Sequence, residues 1–324
     1  MNIALLKKLQ EAVGEFVGLD ALTGASNPGS LGRDLDVLVD FGFGIERHPY
    51  RGAAYRSAAA RLCPEQIEFG LETTRIGRRI AVWNRVTSTN DLAAQAAVSR
   101  ANEGLVVLAE EQSAGRGRRG RSWSSPARSS ILMSVLLFPP EPLAEPAWLT
   151  ALGAVAVAEV VSELTGLQAA IKWPNDVRVD RRKVAGILVE RGAGAVIGIG
   201  LNANFASDEL PIELWDTATS LQILLKRPVD RSELARSLIA RLDSLYDRSR
   251  REGGQVLSVP WRERSEHLGR LVAVSTSSRI ETGRLDDLDL WNCARLVTSP
   301  ETTLEIPVQE ILSIAAADKP HETS

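Results

Sequence analysis

With 324 residues, 44% of them hydrophobic, and a formal net charge of −3, the chain is too long for one ordinary core and has no global basic field to draw in nucleic acid. It reads as two or three globular domains. Its two cysteines, Cys63 and Cys293, exclude a disulfide framework and a zinc-ligand spacing, and they fit a reducing, cytoplasmic setting.

Helical spacing predicts a first helix over 3–9 and a second over 19–25. A third follows Asn27-Pro28, with Pro28 near its first position, and runs through Leu31, Leu35, Leu38 and Val39. Residues 41–57, punctuated by Gly42, Gly44 and Gly52, read as a β-wing, so the segment has a winged helix-turn-helix layout. DNA affinity rests on phosphate contacts, which need cations. The third helix carries Asp34, Asp36 and Asp40 against Arg33 alone, while the wing holds Arg47, His48, Arg51 and Arg56. The charge pattern predicts weak DNA contact, made by the wing.

A strand is expected over 80–83, and Ser88-Thr89-Asn90 suit the N-cap of a helix from about 90 to 99. An apolar run at 105–109 then feeds Gly115-Arg116-Gly117-Arg118-Arg119-Gly120-Arg121-Ser122-Trp123. Glycines allow backbone turns that other residues resist, and arginines offer forks of donors for phosphate or carboxylate oxygens. The glycines spell G-x-G-x-x-G, and 115–122 nearly spell a P-loop with Arg121 in the lysine's place. Both motifs require a helix directly afterwards. Here Ser-Ser-Pro and a strand-like run at 131–138 follow, which leaves a strand–basic loop–strand unit.

The apolar stretch at 148–164 is broken by Thr150, Glu159, Ser162 and Glu163. It predicts a buried amphipathic helix rather than a membrane span. Lys172-Trp173-Pro174-Asn175-Asp176 and the apolar run 183–190 form a hairpin with Asp180-Arg181-Arg182 near its tip. Taken alone, Lys183 is a snorkelling edge residue and Asn175 and Asp176 are turn residues. The strand at 197–202 carries Gly198 and Gly200, which suits close approach of a ligand to backbone. Short strands are expected at 271–274, 282–285 and 304–307, with Asp286, Asp287 and Asn292 in turns.

The run 115–121, the 172–176 segment, the 183–190 strand and the earlier Ser88-Thr89-Asn90, in this order, resemble the biotin–protein ligases. The resemblance is strong over 80–205 and weaker beyond. About sixty residues precede the ligase region, as in the bifunctional type that is also a biotin-operon repressor. The resemblance implies an α+β fold. It would comprise a winged helix-turn-helix (1–62), a central mixed-sheet ligase domain (66–262) and a C-terminal SH3-like β-barrel (267–316).

The implied reaction joins biotin to AMP and then to a lysine of a carboxylase biotin-carrier domain. Lys183, Arg116 and Arg118 would be catalytic. Biotin would be bound by these three with Ser88, Thr89, Asn90, Gln112, Gly115, Gly117, Gly186 and Gly198. The nucleotide would meet Arg118, Arg119, Arg121, Trp123, Asn175, Asp176 and Asn202. No cage of carboxylates is visible, so Mg²⁺ would arrive with ATP and no metal ligand is assigned. Implied partners are the carrier domain, a second copy of the chain and operator DNA, and no membrane is involved. The alternatives are a lipoate–protein ligase and a ligand-sensing DNA regulator without ligase activity. An RNA-binding role for the arginine loop is disfavoured by the shortage of interleaved aromatics.

Overall fold

Three helices open the chain in the computed structural model, which describes residues 1–12, 14–27 and 29–317. They are α1 (Ile3–Glu11), α2 (Leu19–Thr23) and α3 (Leu31–Phe41). Asn2 caps α1 by accepting from the Leu5 N–H, and Gly42 ends α3 in the left-handed region at φ +115°. The expected position of Pro28 in the third helix lies outside the described residues. An antiparallel hairpin follows, β1 (Gly44–His48) with β2 (Gly52–Ser57). It begins three residues later than expected because Phe41 still belongs to the helix. Leu5, Leu9, Leu35, Leu38 and Tyr55 form a core separate from the rest of the molecule.

The three acids of α3 do not all face outward, which corrects the charge argument. Asp34 accepts from Ser26 at 2.6 Å and Asn2 at 2.8 Å, and these hydrogen bonds hold its carboxyl below the usual range. Asp36 pairs with Arg47 of the wing at 2.8 Å.

After α4 (Pro64–Glu68) the chain builds a seven-stranded mixed sheet. Its parts in sequence are β3 (Arg79–Trp83), α5 (Thr89–Gln95), β4 (Leu105–Ala109), β5 (Ser130–Leu137), α6 (Pro146–Thr165), β6 (Ala170–Lys172), β7 (Asp176–Val179), β8 (Arg182–Arg191) and β9 (Ala195–Asn202). The spatial order is β3-β4-β5-β9-β8-β7-β6, with only β3 and β4 parallel. Then come α7 (Leu221–Leu225), α8 (Arg231–Glu252) and α9 (Ser258–Arg264). On one face of the sheet lie α6, α8 and α9, and on the other lies α5.

The helix α6 is long and apolar enough to cross a membrane, yet it is buried along most of its length in this fold. It is apolar on all sides rather than amphipathic, because it is covered by the sheet and by α8 and α9.

The last part is an antiparallel sheet of β10 (Leu271–Ser275), β11 (Ile280–Leu288), β12 (Cys293–Ser299), β13 (Thr302–Pro307) and β14 (Ser313–Ala316). Its order is β13-β12-β11-β10-β14. Asp286 and Asp287, expected in a turn, lie in β11 at a bulge. Cations hold them there: Arg284 pairs with Asp286, and Arg262 and Arg295 pair with Asp287. Val272, Val274, Leu285 and Ile314 join the core of the central sheet.

One buried ion pair ties the parts together. Arg231 meets Glu110 at 2.6 Å, both about 95% or more buried. Arg231 also donates to the carbonyls of Ser130 and Ala60, and Glu110 accepts from the Leu62 N–H. The main chain of Glu110 bonds Trp83 on one side and Arg128 on the other.

Candidate active site

The floor of the site follows from strand register. Gly186 of β8 stands opposite Gly200 of β9, and Gly198 stands opposite Leu188. Side chains alternate along a strand, so the glycines leave a bare patch on one face of the sheet. Space there is already allotted. A Cβ on Gly198 would fall 2.4 Å from Asn90 Oδ1, and one on Gly200 would fall 2.3 Å from the Trp123 ring. The cavity over this patch measures about 330 Å³.

One end of the cavity is a polar corner at the start of α5. Ser88 occupies the N-cap position, but its side chain makes no capping bond, so capping does not account for it. The Gln112 Oε1 accepts from the Thr89 N–H at 2.8 Å and from its hydroxyl at 3.0 Å. The Ser134 hydroxyl lies within hydrogen-bond distance of Thr89 Oγ1 and, at 2.6 Å, of Asn90 Oδ1. The Asn90 amide donates to Glu190 at 2.6 Å. Thr89, Asn90 and Ser134 are all buried.

The basic loop forms one wall. Its tip, 118–120, is a tight turn with Arg119 at φ +56° and Gly120 at φ +72°. The left-handed region suits the glycine and costs the arginine. Arg116 turns away from its fellow arginines to pair with Asp91 at 2.6 Å and Glu190 at 3.1 Å. These bonds raise the Arg116 pKa and lower that of Asp91. Desolvation, aided by Arg119, pushes Arg118 below its ordinary value. Among the described residues, Arg118, Arg119 and Arg121 make no ion pair. Arg118 donates to Asn175 at 3.4 Å, and Arg119 donates to the Leu312 carbonyl at 3.2 Å.

Lys183 stands at the opposite wall. Its backbone is pinned by the segment after β9, with the Lys183 N–H donating to Thr217 and the Thr219 N–H donating back. Its ammonium pairs with Asp176 at 2.7 Å and lies 5.4 Å from the Trp123 ring centre. Asn175 is fixed by donating to the Ile187 carbonyl. The indole of Trp123 packs against Gly186 and Gly200 of the floor, with its Nε1 buried and unpartnered among the described residues.

Fifteen of the expected site residues border this cavity, and two do not. Asn202 is buried, and its amide donates to the Thr219 carbonyl at 3.0 Å, so the segment after β9 covers it. Gly115 is buried in the stem of the loop, where a Cβ would fall 2.4 Å from the Trp123 carbonyl. The sequence reading missed the 312–315 segment, which closes the cavity from the C-terminal sheet. It also missed Asp91 and Glu190. The one available signal was a pair of acids flanking the Asn90 and 183–189 motifs beside a dense cationic loop.

Residues 82–202 match the model of the Biotin/lipoate A/B protein ligase family. The bifunctional ligase/repressor BirA of Bacillus spizizenii is 30% identical over 293 residues, 88% of this chain and 90% of that one. The biotin–[acetyl-CoA-carboxylase] ligase of Mycobacterium tuberculosis is 36% identical over 66% of this chain and 83% of its own length. A structure of the Aquifex aeolicus biotin protein ligase in complex with biotin and ATP matches with a TM-score of 0.66 at 26% identity. It covers 74% of this chain and 100% of that one. By its fold, its glycine-floored cavity and its relatives, the chain belongs to the biotin protein ligases, within the biotin/lipoate ligase family.

Proposed function

We propose that the protein is an ATP-dependent biotin–protein ligase that makes biotinyl-5′-AMP and passes biotin to a lysine of a carboxylase biotin-carrier domain. The observation that carries this reading is one cavity holding Lys183, the arginine loop and the polar corner of Thr89, Asn90 and Gln112. In the first step a biotin carboxylate oxygen attacks the α-phosphorus, and the bond to pyrophosphate breaks. Two anions must meet, so catalysis is mainly positioning and charge compensation. Lys183 offsets the charge growing on the phosphoryl oxygens, while Arg118, Arg119 and Arg121 take the phosphates. Trp123, Asn175 and Asp176 flank the nucleotide. In the second step the acceptor amine attacks the mixed-anhydride carbonyl, loses its proton and displaces AMP.

Among the described residues no three His, Cys, Asp or Glu side chains group to hold a metal. Asp176 is already paired with Lys183. In this reading Mg²⁺ would come with the phosphates of ATP. The polar corner offers both donors and acceptors, which suits a ureido ring better than the apolar ring of lipoate. Incubation of the protein with ATP, Mg²⁺ and a carrier domain, with biotin or lipoate, tests the reading. The expected result is a biotin adduct on the carrier lysine by mass spectrometry. A lipoyl adduct without a biotin adduct would overturn it.

The domains we assign are a winged helix-turn-helix over 1–62, the ligase domain over 66–262 and an SH3-like domain over 267–316. Three helices with a two-stranded hairpin on a separate core support the first, and five short antiparallel strands support the last. The edge strand β3, with Trp83 half exposed at its end, is a pairing template for a second copy.

A repressor role is favoured by the N-terminal layout and by the name of the Bacillus relative. The charges oppose it. Arg47 is paired with Asp36, Arg56 is paired with Glu46, and Arg51 leans on Phe16 at 4.3 Å. Weak binding to the upstream region of biotin-synthesis genes is expected, with a log–log salt slope of about one per phosphate contacted. Tight, biotin- and ATP-dependent binding in an anisotropy titration at physiological salt would restore the repressor role.

A further inference from the structure

Among the described residues, Arg116 is the one arginine of the loop that carboxylates hold. Its guanidinium spans Asp91, through both terminal nitrogens, and Glu190, through Nε at 3.2 Å and a terminal nitrogen at 3.1 Å. A guanidinium in such a fork is neutralised and fixed in direction. It is therefore poorly placed to serve as a phosphate ligand. It is well placed to pin the stem of the loop while the tip at 118–121 carries free charge.

Glu190 does a second thing with the same carboxylate. Its Oε2 accepts from Asn90 Nδ2 at 2.6 Å, while Ser134 donates to Asn90 Oδ1 at 2.6 Å. A side-chain amide has two N–H groups and an oxygen with two lone pairs. A hydroxyl can donate or accept, so Ser134 alone does not choose which way the amide points. A carboxylate only accepts, so Glu190 does choose. It leaves Asn90 one N–H and one lone pair for a molecule seated over Gly198, which lies against the same amide.

We propose that Glu190 is a positioning residue that joins two tasks, setting the orientation of Asn90 and anchoring the basic loop through Arg116, with Asp91 as the second jaw of the anchor. The proposal rests on the biotin-ligase reading for what Asn90 recognises, and it deepens that reading. Ion pairs this exposed contribute little to fold stability, so their effect is on geometry and on the rate at which the loop opens.

The two tasks separate by substitution. Wild type, Asp91→Ala, Glu190→Ala and Glu190→Gln are compared for tryptic cleavage within the loop, without substrates, and for the biotin KM and kcat of adenylate formation. Loop cleavage is expected to accelerate about threefold or more in all three variants, since each weakens the Arg116 anchor. The biotin KM is expected to rise about tenfold in Glu190→Ala, with a smaller change in kcat, the scale of one hydrogen bond to a charged group. Glutamine at 190 keeps an oxygen that can accept from Asn90 but can also present its amide, so Glu190→Gln is expected to give a KM between those of wild type and Glu190→Ala while its loop remains loose.

Asp91→Ala is expected to move cleavage and to leave the biotin KM within about threefold. Cleavage and KM both within twofold of wild type in Glu190→Ala would overturn the proposal. So would equal KM effects in Asp91→Ala and Glu190→Ala, which would reduce Glu190 to a loop anchor. If wild type transfers no biotin, the functional reading fails, and the cleavage comparison still decides the anchor.

Discussion

Lys183 shows how one side chain acquires a task from its surroundings. A lysine at the mouth of an apolar strand covers the sheet edge with its stem in most settings. Here its backbone is clamped by residues 217 and 219, and its ammonium faces the cavity beside Asp176. In the proposed mechanism Lys183→Ala should lower adenylate formation about a hundredfold or more, because it would remove charge that acts on the transition state. The fold should survive, since both partners of the pair are about 30% exposed and pairs of this kind contribute only about 0–1 kcal/mol. Pyrophosphate release, measured alongside the melting temperature, checks both halves; activity within about threefold of wild type would remove Lys183 from the mechanism. The lysine was legible in the sequence because its motif is local. Glu190 and Asp91 were not. Each reads as an ordinary acid at an element's end, and only the folded register brings them to one arginine.

At the scale of elements, the basic loop was the clearest signal. Apolar strands on both sides and the lack of a following helix fixed it as strand–loop–strand, which β4 and β5 bear out. Dense arginines repel one another until anions arrive. With Arg116 neutralised, that repulsion is concentrated in Arg118, Arg119 and Arg121 at the tip. Arg118→Gly should release the adenylate faster, because it removes a cation and loosens the turn. The expected outcome is increased labelling of bystander lysines, read by mass spectrometry on an unrelated protein added to the reaction. In wild type, biotin with ATP should protect the tip from trypsin, and unchanged cleavage would argue against ordering of the loop. The closing strand β14 was not legible. It is four residues long, and its partner β10 lies some forty residues earlier, so no local pattern announces it. Asn202 was misread for a related reason. Its position beside the glycine motif suggested a ligand, but the 218–220 segment covers it.

At the scale of the whole molecule, His267 sits where α9 leads into the C-terminal sheet. It is 5% exposed, and both ring nitrogens lack a partner among the described residues. Desolvation holds its pKa below the ordinary 6.5; Glu266 opposes this, and Lys172, Arg178 and Arg270 add to it. The unfolded chain therefore binds a proton more readily than the folded one. Stability should be constant above about pH 6.5 and fall as pH drops below it, by at most about 1.4 kcal/mol per pH unit for one proton. Urea midpoints from neutral pH to about pH 5 test this, and His267→Leu should flatten that part of the profile.

The Glu110–Arg231 pair has a consequence in descent. Removing one partner strands a buried charge at a cost of about 3–5 kcal/mol, whereas replacing both by apolar residues is often neutral or better. The two positions, 121 residues apart, are yoked. A lineage can keep both charges or shed both, but each single step crosses a deep fitness valley. Related chains should therefore carry acid with arginine, or two uncharged residues, with the mixed combinations depleted.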